Sequence, residues 1–353
     1  MHIPDGYLSP STCAAMYLSA APFWYVALQR VKRLLHTRFV PLLSLFSAFS
    51  FVVMMFNLPL PGGTTGHAVG VGIATIVLGP WAAILSISIA LLIQALFFGD
   101  GGITALGANC FNMAVVGSLV TYGVYRFIAR GSEITAPRRV IAAGLAGYLA
   151  INASALCAAI EFGIQPLLFR DAAGAPLYAP YPLSIAIPAM LIGHLTIAGL
   201  AELVLTAGVV SYLQRTDTAL LKRTAPTTAA LGGTPSDWSP SSMRRLWVAL
   251  SMLLILTPLG ILAVGTAWGE WTAQDFSDPA MRQQMANATG QSPPMQAPSG
   301  LQRLSTIWTA PFPRYAPAVV RSTSFGYALS AMIGVGLIVL LCSLAGLGVR
   351  GRP

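Results

Sequence analysis

A chain of 353 residues that is 55% hydrophobic and only 9% charged, with a mean hydropathy of +0.70, is too apolar for a water-soluble globular domain and reads as a polytopic membrane protein. Its formal net charge of +9 does not mark a nucleic-acid binder, because most of the Lys and Arg sit at the ends of apolar segments, where they act as topology signals. Cys13, Cys110, Cys157 and Cys342 form no CxxC pair, so they suggest packing rather than a zinc site or a disulfide framework. Met1 to Gln29 contains no Lys or Arg, so no cleavable signal peptide is expected.

After Pro4-Asp5-Gly6, a turn signal, an apolar run from about Thr12 to Leu35 ends in Arg30, Lys32, Arg33 and, just beyond, Arg38, which predicts a cytoplasmic end. Phe39 to Leu58 returns outward and stops at Pro59-Leu60-Pro61-Gly62-Gly63-Thr64-Thr65-Gly66-His67, too rich in Pro and Gly to continue a helix. His67 is therefore expected on the outer side, with Met1. Thr64 to Leu78 and Trp81 to Phe98 are expected as two passes broken at Gly79-Pro80. A single pass would deliver Arg126, Arg130, Arg138 and Arg139 to the outside, against the positive-inside tendency.

The glycine-rich turn Gly99 to Asn109, with one acid and one amide, faces outward and can approach another backbone closely. Leu106 to Ile128, Val140 to Ile164 and Pro182 to Leu213 complete seven segments. Thr216 to Ser242 then turns to Thr, Ala, Pro, Gly and Ser, a linker composition. Arg244 and Arg245 open an eighth segment, Leu246 to Ala267, and a ninth, Phe325 to Leu347, precedes Arg350 and Arg352. Between them, Trp268 to Ser324 is expected as a partly ordered external loop whose Trp268-Gly269-Glu270-Trp271 indoles sit at the membrane interface. The expected fold is all-α. A seven-helix domain (1–213) is followed by a cytoplasmic linker (214–243) and a module (244–353) of two transmembrane helices around the loop 268–324. The amino terminus is outside and the carboxyl terminus cytoplasmic.

A histidine in second place beside a free amino terminus makes a chelator. The Met1 amine, the deprotonated His2 amide and a His2 ring nitrogen close a five- and a six-membered ring on one ion, fixing three nitrogens nearly in a plane. Such a set favours Ni(II) or Cu(II) and accepts Co(II), whereas zinc prefers a tetrahedron and calcium or magnesium want oxygen. The topology, set only by Lys and Arg, brings His67 and the Gly99 to Asn109 turn to the same face. His67 then supplies the fourth nitrogen, with Asp5, Thr65 and Asn109 as partners that orient the ligands.

Three stretches, MHIPDGYLSP at the start, PGGTTGH at Pro61 to His67 and GDGGITALGAN at Gly99 to Asn109, resemble the CbiM/NikM family. This family comprises the substrate-binding (S) membrane components of energy-coupling-factor (ECF) importers for cobalt and nickel. The resemblance covers residues 1 to about 213 and implies an S-component-like bundle that binds metal through Met1, His2 and His67. It also implies a coupling membrane subunit and two ATPase subunits as partners, with Co2+ or Ni2+ as transported substrate and no organic cofactor. Residues 244 to 353 are similar to the small CbiN/NikN partner fused in cis, through LTPLGILA at Leu256 to Ala263 and TAWGEW at Thr266 to Trp271.

The remaining polar residues offer weaker signals. Glu161 and Glu202, near or within apolar segments, are functional candidates because an ionised group in lipid is costly, and helix-helix hydrogen bonding explains them equally. His194 reads as a hydrogen-bonded structural residue, His36 as solvated, and Met281, Met285 and Met295 are too irregularly spaced for a copper site. No catalytic residue is expected: no HExxH motif occurs, and Lys32 and Lys222 follow Val31 and Leu221, so there is no GK[ST] phosphate loop. A secondary transporter for divalent transition-metal ions is the competing reading, resting on the two glutamates.

Overall fold

The structure, a computed structural model, describes residues 1–32, 39–224, 240–317 and 319–350. Helix α1 (Pro10–Lys32) begins where local chemistry tells it to. The Ser9 hydroxyl accepts from Thr12 N at 3.1 Å and Pro10 opens the first turn, where its missing N–H costs nothing. After α2 (Phe39–Met54) come two short antiparallel strands, β1 (Leu58–Leu60) and β2 (Thr64–Gly66). They are joined by Pro61–Gly63, with Gly62 and Gly63 at φ 82° and 76°.

This hairpin changes the expected third pass. Thr64 to Gly66 is strand, so helix α3 (Val71–Leu78) has only eight residues. The carboxylate of Glu202 satisfies its amino-terminal end, accepting from Val69 N and Gly70 N at 2.8 Å and from Gly72 N at 3.0 Å. Gly79 then turns the chain into α4 (Pro80–Ile93), which continues in a wide-turned stretch, Gln94–Phe98.

Helix α5 (Leu106–Asn109) runs through a second wide stretch, Cys110–Val116, into α6 (Gly117–Ala129). Then follow α7 (Pro137–Leu168), α8 (Leu183–Gly193) and, after His194–Ala198, α9 (Gly199–Thr216). The chain goes on with Thr218–Thr224 as a 3-10 turn that is not free linker: Leu220 and Leu221 are buried and Thr224 Oγ1 donates to Ile76 O at 2.7 Å. Most of the expected linker, like His36, lies outside the described residues.

The second module consists of α10 (Pro240–Leu256), extended by Thr257–Leu262, then α11 (Pro279–Thr289), α12 (Ser299–Leu304) and α13 (Thr323–Arg350). Among the described residues five stretches, Pro80–Phe98, Pro137–Leu168, Leu183–Thr216, Ser241–Leu262 and Thr323–Gly348, are long and apolar enough to cross a membrane, with Phe39–Met54 a shorter apolar helix. The chain is a multi-pass, all-α membrane protein. Ile141, Leu168 and Val204, each more than half exposed, point away from the bundle as lipid-facing side chains do.

α7 packs against α6, α8 and α9, while α13 lies along α2, so the second module is docked on the first rather than beside it. The expected external loop is also more ordered than its composition suggests. Asp278 caps α11 by accepting from Met281 N at 2.9 Å, and Arg282 ties the loop's two sides by donating to Phe276 O at 3.0 Å and Pro294 O at 2.5 Å. Trp268 and Trp271 are buried against Phe162 and Tyr181 instead of lying at a membrane interface, because the two modules together supply an aromatic pocket.

Close approach of α1 to α5 depends on Gly107, where a Cβ would stand 2.7 Å from Tyr17 N and 2.8 Å from Tyr17 Cα. Backbone cannot yield as a side-chain tip can. Gly107→Ala is expected to cost about 1–3 kcal/mol of stability, read as a lower unfolding temperature of the purified protein in detergent.

Candidate metal centre

The amino-terminal residues are threaded into one end of the bundle and held by amide chemistry. Asn109 pairs with Ile3 in both directions: its Oδ1 accepts from Ile3 N at 2.8 Å and its Nδ2 donates to Ile3 O at 3.0 Å. Gly102 N donates to the same carbonyl at 2.8 Å. The Asp5 carboxylate accepts from Ile103 N at 3.1 Å, from Thr104 N at 2.7 Å and from the Thr104 hydroxyl. This close approach requires Gly102, where a Cβ would meet Asp5 N at 2.4 Å. Asp5 and Asn109 thus hold the terminal segment itself.

Between these anchors Met1, His2 and Ile3 are buried, at 3%, 1% and 0% exposure. The His2 and His67 rings face each other with centroids 5.0 Å apart, and His67 Nε2 lies 3.3 Å from His2 Nδ1. His67 Nδ1 is 3.0 Å from Ala68 O. A carbonyl only accepts, so Nδ1 carries the ring proton and Nε2 keeps its lone pair toward His2. Burial, followed by the nearby Met1 ammonium, pushes the His2 pKa down to about 3 and holds that of His67 well below its ordinary value. Both rings are neutral at neutral pH, as metal ligands must be.

Acidic and amide groups surround the pair. Asp100 Oδ1 lies 3.2 Å from His2 Nδ1, and Tyr315 OH donates to Asp100 Oδ2 at 2.6 Å while accepting from Gln94 Nε2 at 3.0 Å. The Met1 ammonium is 3.5 Å from Glu270 Oε1. Burial pushes the Glu270 carboxyl up, and the ammonium beside it pulls back. Thr65 takes part through its backbone, which bridges to Ala267 and so places Glu270. A cavity of about 660 Å³ between the modules is lined by His67, Asp100, Glu270 and Asp275 among others.

Residues 2–220 match the family model described as the cobalt uptake substrate-specific transmembrane region, CbiM, and residues 244–351 match the PDGLE domain. The chain belongs to the CbiM family. It is 56% identical over 351 residues to the fused nickel transport protein NikMN of Rhodobacter capsulatus, covering 99% of this chain and 96% of that one. With the probable fused nickel transport protein LarMN of Lactiplantibacillus plantarum the identity is 43%, covering 97% of this chain and 96% of the relative. A crystal structure of a transition metal transporter superposes with a TM-score of 0.58 at 52% identity, over 62% of this chain and 94% of that one. The two relatives are named as transport proteins for nickel, not as enzymes, and the family model that this chain matches is described as a cobalt uptake region.

The structure brings Met1, His2 and His67 together, with Asp5 and Asn109 holding the terminal segment that carries the first two. Sequence reasoning missed Gln94, Asp100, Glu270 and Tyr315. Asp100 lay in a stretch already singled out as outward-facing, whereas Glu270 was hidden between two tryptophans read as interfacial. The other polar residues stand outside the cluster or serve structure. His194 Nδ1 donates to Met190 O at 2.7 Å, and Glu161 accepts from Asn112 Nδ2 at 2.8 Å.

The depressed histidines predict how the metal-free terminus responds to acid. Once released, His2 takes a proton near 6.5; docked, it resists until about pH 3. Docking is therefore fully favoured above about pH 6.5 and loses stability as pH falls from there toward 3. Hydrogen exchange of the Ile3 and Gly102 amides, corrected for intrinsic rates, is expected to show less protection at pH 4.5 than at pH 7.

Proposed function

We propose that this protein is the substrate-binding membrane subunit of an ATP-driven ECF-type importer. It captures a cobalt or nickel ion at the outer face with the Met1 amine, the His2 amide nitrogen, His2 Nδ1 and His67 Nε2. The observation that carries this reading is the 3.3 Å separation of His2 Nδ1 and His67 Nε2 inside a buried amino terminus. Nitrogens on adjacent corners of a plane, each about 2.0 Å from a metal, lie roughly 2.8 Å apart, so a small closure admits an ion. Ring counting selects Nδ1: amide nitrogen, Cα, Cβ, Cγ and Nδ1 close a six-membered chelate with the metal. Among the described residues no three His, Cys, Asp or Glu side chains gather as a metal cluster, which makes the backbone nitrogens essential. An all-nitrogen plane suits the softer late divalent ions, and the two full-length relatives named as nickel transport proteins favour nickel.

The energy source lies in partner subunits, a coupling membrane protein and two ATPases, in line with the family resemblance and with the lack of a phosphate loop. The secondary-transporter reading gains little from the two glutamates, since the Glu202 carboxylate accepts from three backbone N–H groups and Glu161 accepts from Asn112.

Any residue added before Met1 removes the five-membered ring. An amino-terminally extended protein is expected to lose high-affinity nickel binding, and equal affinity in a titration would reject the chelate. His67→Ala removes the fourth nitrogen. At matched membrane levels it is expected to weaken binding by at least about 10- to 100-fold and stop uptake.

Metal binding is also expected to release two protons, one from the Met1 ammonium and one from the His2 amide, because the imidazoles are already neutral. Affinity then rises with pH between about 5.5 and 8. Titration in weakly buffered solution checks the proton count, and binding without proton release would exclude the amide and amine as ligands.

A further inference from the structure

Two buried polar atoms beside the histidine pair have no hydrogen-bond partner, His2 Nε2 and Gln94 Oε1. They belong to side chains that are 1% and 0% exposed, and both side chains reach Asp100, whose Oδ1 lies 3.2 Å from His2 Nδ1 and whose Oδ2 lies 3.4 Å from Gln94 Nε2. Gln94 cannot turn freely to hide its oxygen. Its Nε2 donates to Tyr315 OH at 3.0 Å and to Asp100 Oδ2 at 3.4 Å, which fixes the amide with Oε1 on the remaining side. The residue stands at the first position of the wide-turned stretch Gln94–Phe98, a departure from α-helical geometry that often marks functional positions.

The mismatch follows from the metal-free tautomer. His67 Nε2 is an acceptor, and so is Asp100 Oδ1. Both lie beside His2 Nδ1, at 3.3 Å and 3.2 Å, so in the neutral ring the proton sits on Nδ1 and Nε2 is a bare lone pair. That lone pair and the Gln94 oxygen are both acceptors, so neither can satisfy the other. Ligation through Nδ1 reverses the pattern: the metal takes the Nδ1 lone pair, the ring proton resides on Nε2, and Nε2–H then needs an acceptor, which Gln94 Oε1, buried and without a donor, can provide. A ligating histidine ordinarily donates its other N–H to such an acceptor, which sets both tautomer and ring orientation.

We propose that Gln94 is a positioning residue of the metal site, accepting a hydrogen bond from His2 Nε2 only when the ring ligates through Nδ1. Asp100 and Tyr315 hold Gln94 in that orientation. Tyr315 comes from the second module, so the PDGLE region helps to aim a ligand of the CbiM-type region. This inference rests on the chelate proposed above.

Ni(II) titration of the full-length protein in detergent tests it with two substitutions. Gln94→Leu removes the acceptor and the donors together, whereas Gln94→Glu keeps an oxygen in place and removes only the donors. Gln94→Leu is expected to raise the Kd for Ni(II) about tenfold or more, and Gln94→Glu to stay within about threefold of the native protein. If Gln94 merely braces Tyr315 and Asp100, both variants fall together, and that result overturns the proposal, as does native affinity in Gln94→Leu. Should Gln94→Leu fail to fold, nitrogen-15 spectra of the native nickel-loaded protein decide. The His2 Nε2 proton is expected to be present and slow to exchange, and a freely exchanging one overturns the assignment. Failure of the parent chelate reads differently: the native protein then binds Ni(II) no better than one extended before Met1.

Discussion

Burying a chain terminus is expensive. Its amides must find partners and its ammonium a counter-charge, while the segment gives up the conformational freedom that termini ordinarily keep. In this protein the cost is offset by the pairing of Asn109 with both polar groups of Ile3, reinforced by Gly102 on the same carbonyl and by Asp5 on the following turn. Because the pairing fixes Ile3, it holds the His2–Ile3 peptide unit, and with it the His2 Cα that carries both the amide nitrogen and the ring. The Met1 amine, the His2 amide and the His2 ring are then presented as a set, and His67 needs only to meet them. Without that anchor the same residues would be a mobile chelator with no defined fourth partner.

His67 is placed from a different direction. Its backbone leaves β2, whose register with β1 is set by the Pro61–Gly63 turn, and enters α3, whose first amides are gripped by Glu202 from α9. A carboxylate this deep in an apolar bundle is costly unless its oxygens are satisfied. Three N–H groups at a helix amino terminus satisfy them well, with the helix dipole adding to the attraction. The same three bonds pin the segment immediately after His67. The acid that sequence reasoning weighed as a transport residue thus acts as a fastener for the segment that carries His67, a proposed ligand.

Much of this architecture was legible in the sequence. Apolar runs bounded by Lys and Arg gave the helices, and Pro-Gly breaks gave the outer turns. Met1, His2 and His67 came forward because chelate rings have strict atom counts and the topology put them on one face. What escaped did so for physical reasons. The strand pair at Leu58–Gly66 is short and its Pro and Gly content masks it as loop. The loop after Trp268 has the composition of an unfolded linker, but its order comes from contacts with residues far away in sequence, such as Tyr7 OH to Trp271 O at 2.7 Å and Gly300 N to Leu177 O at 2.8 Å. No local pattern encodes such contacts, and for the same reason Glu270 and Tyr315 carried no signal of their role.

The two modules meet at the proposed metal site. Glu270 faces the amine, Tyr315 reaches Asp100 and Gln94, and Ala267 lies along β2 next to His67. A loop that only closed a hairpin could be trimmed without consequence. This one supplies the carboxylate opposite the terminal ammonium and the phenol that orders the amide network under His2. In the proposed chelate the ammonium that Glu270 faces is also a group that changes on loading, since it gives up a proton; cargo and loop would then contend for the Met1 nitrogen, and the fusion of the two modules in one chain keeps that contest within a fixed geometry.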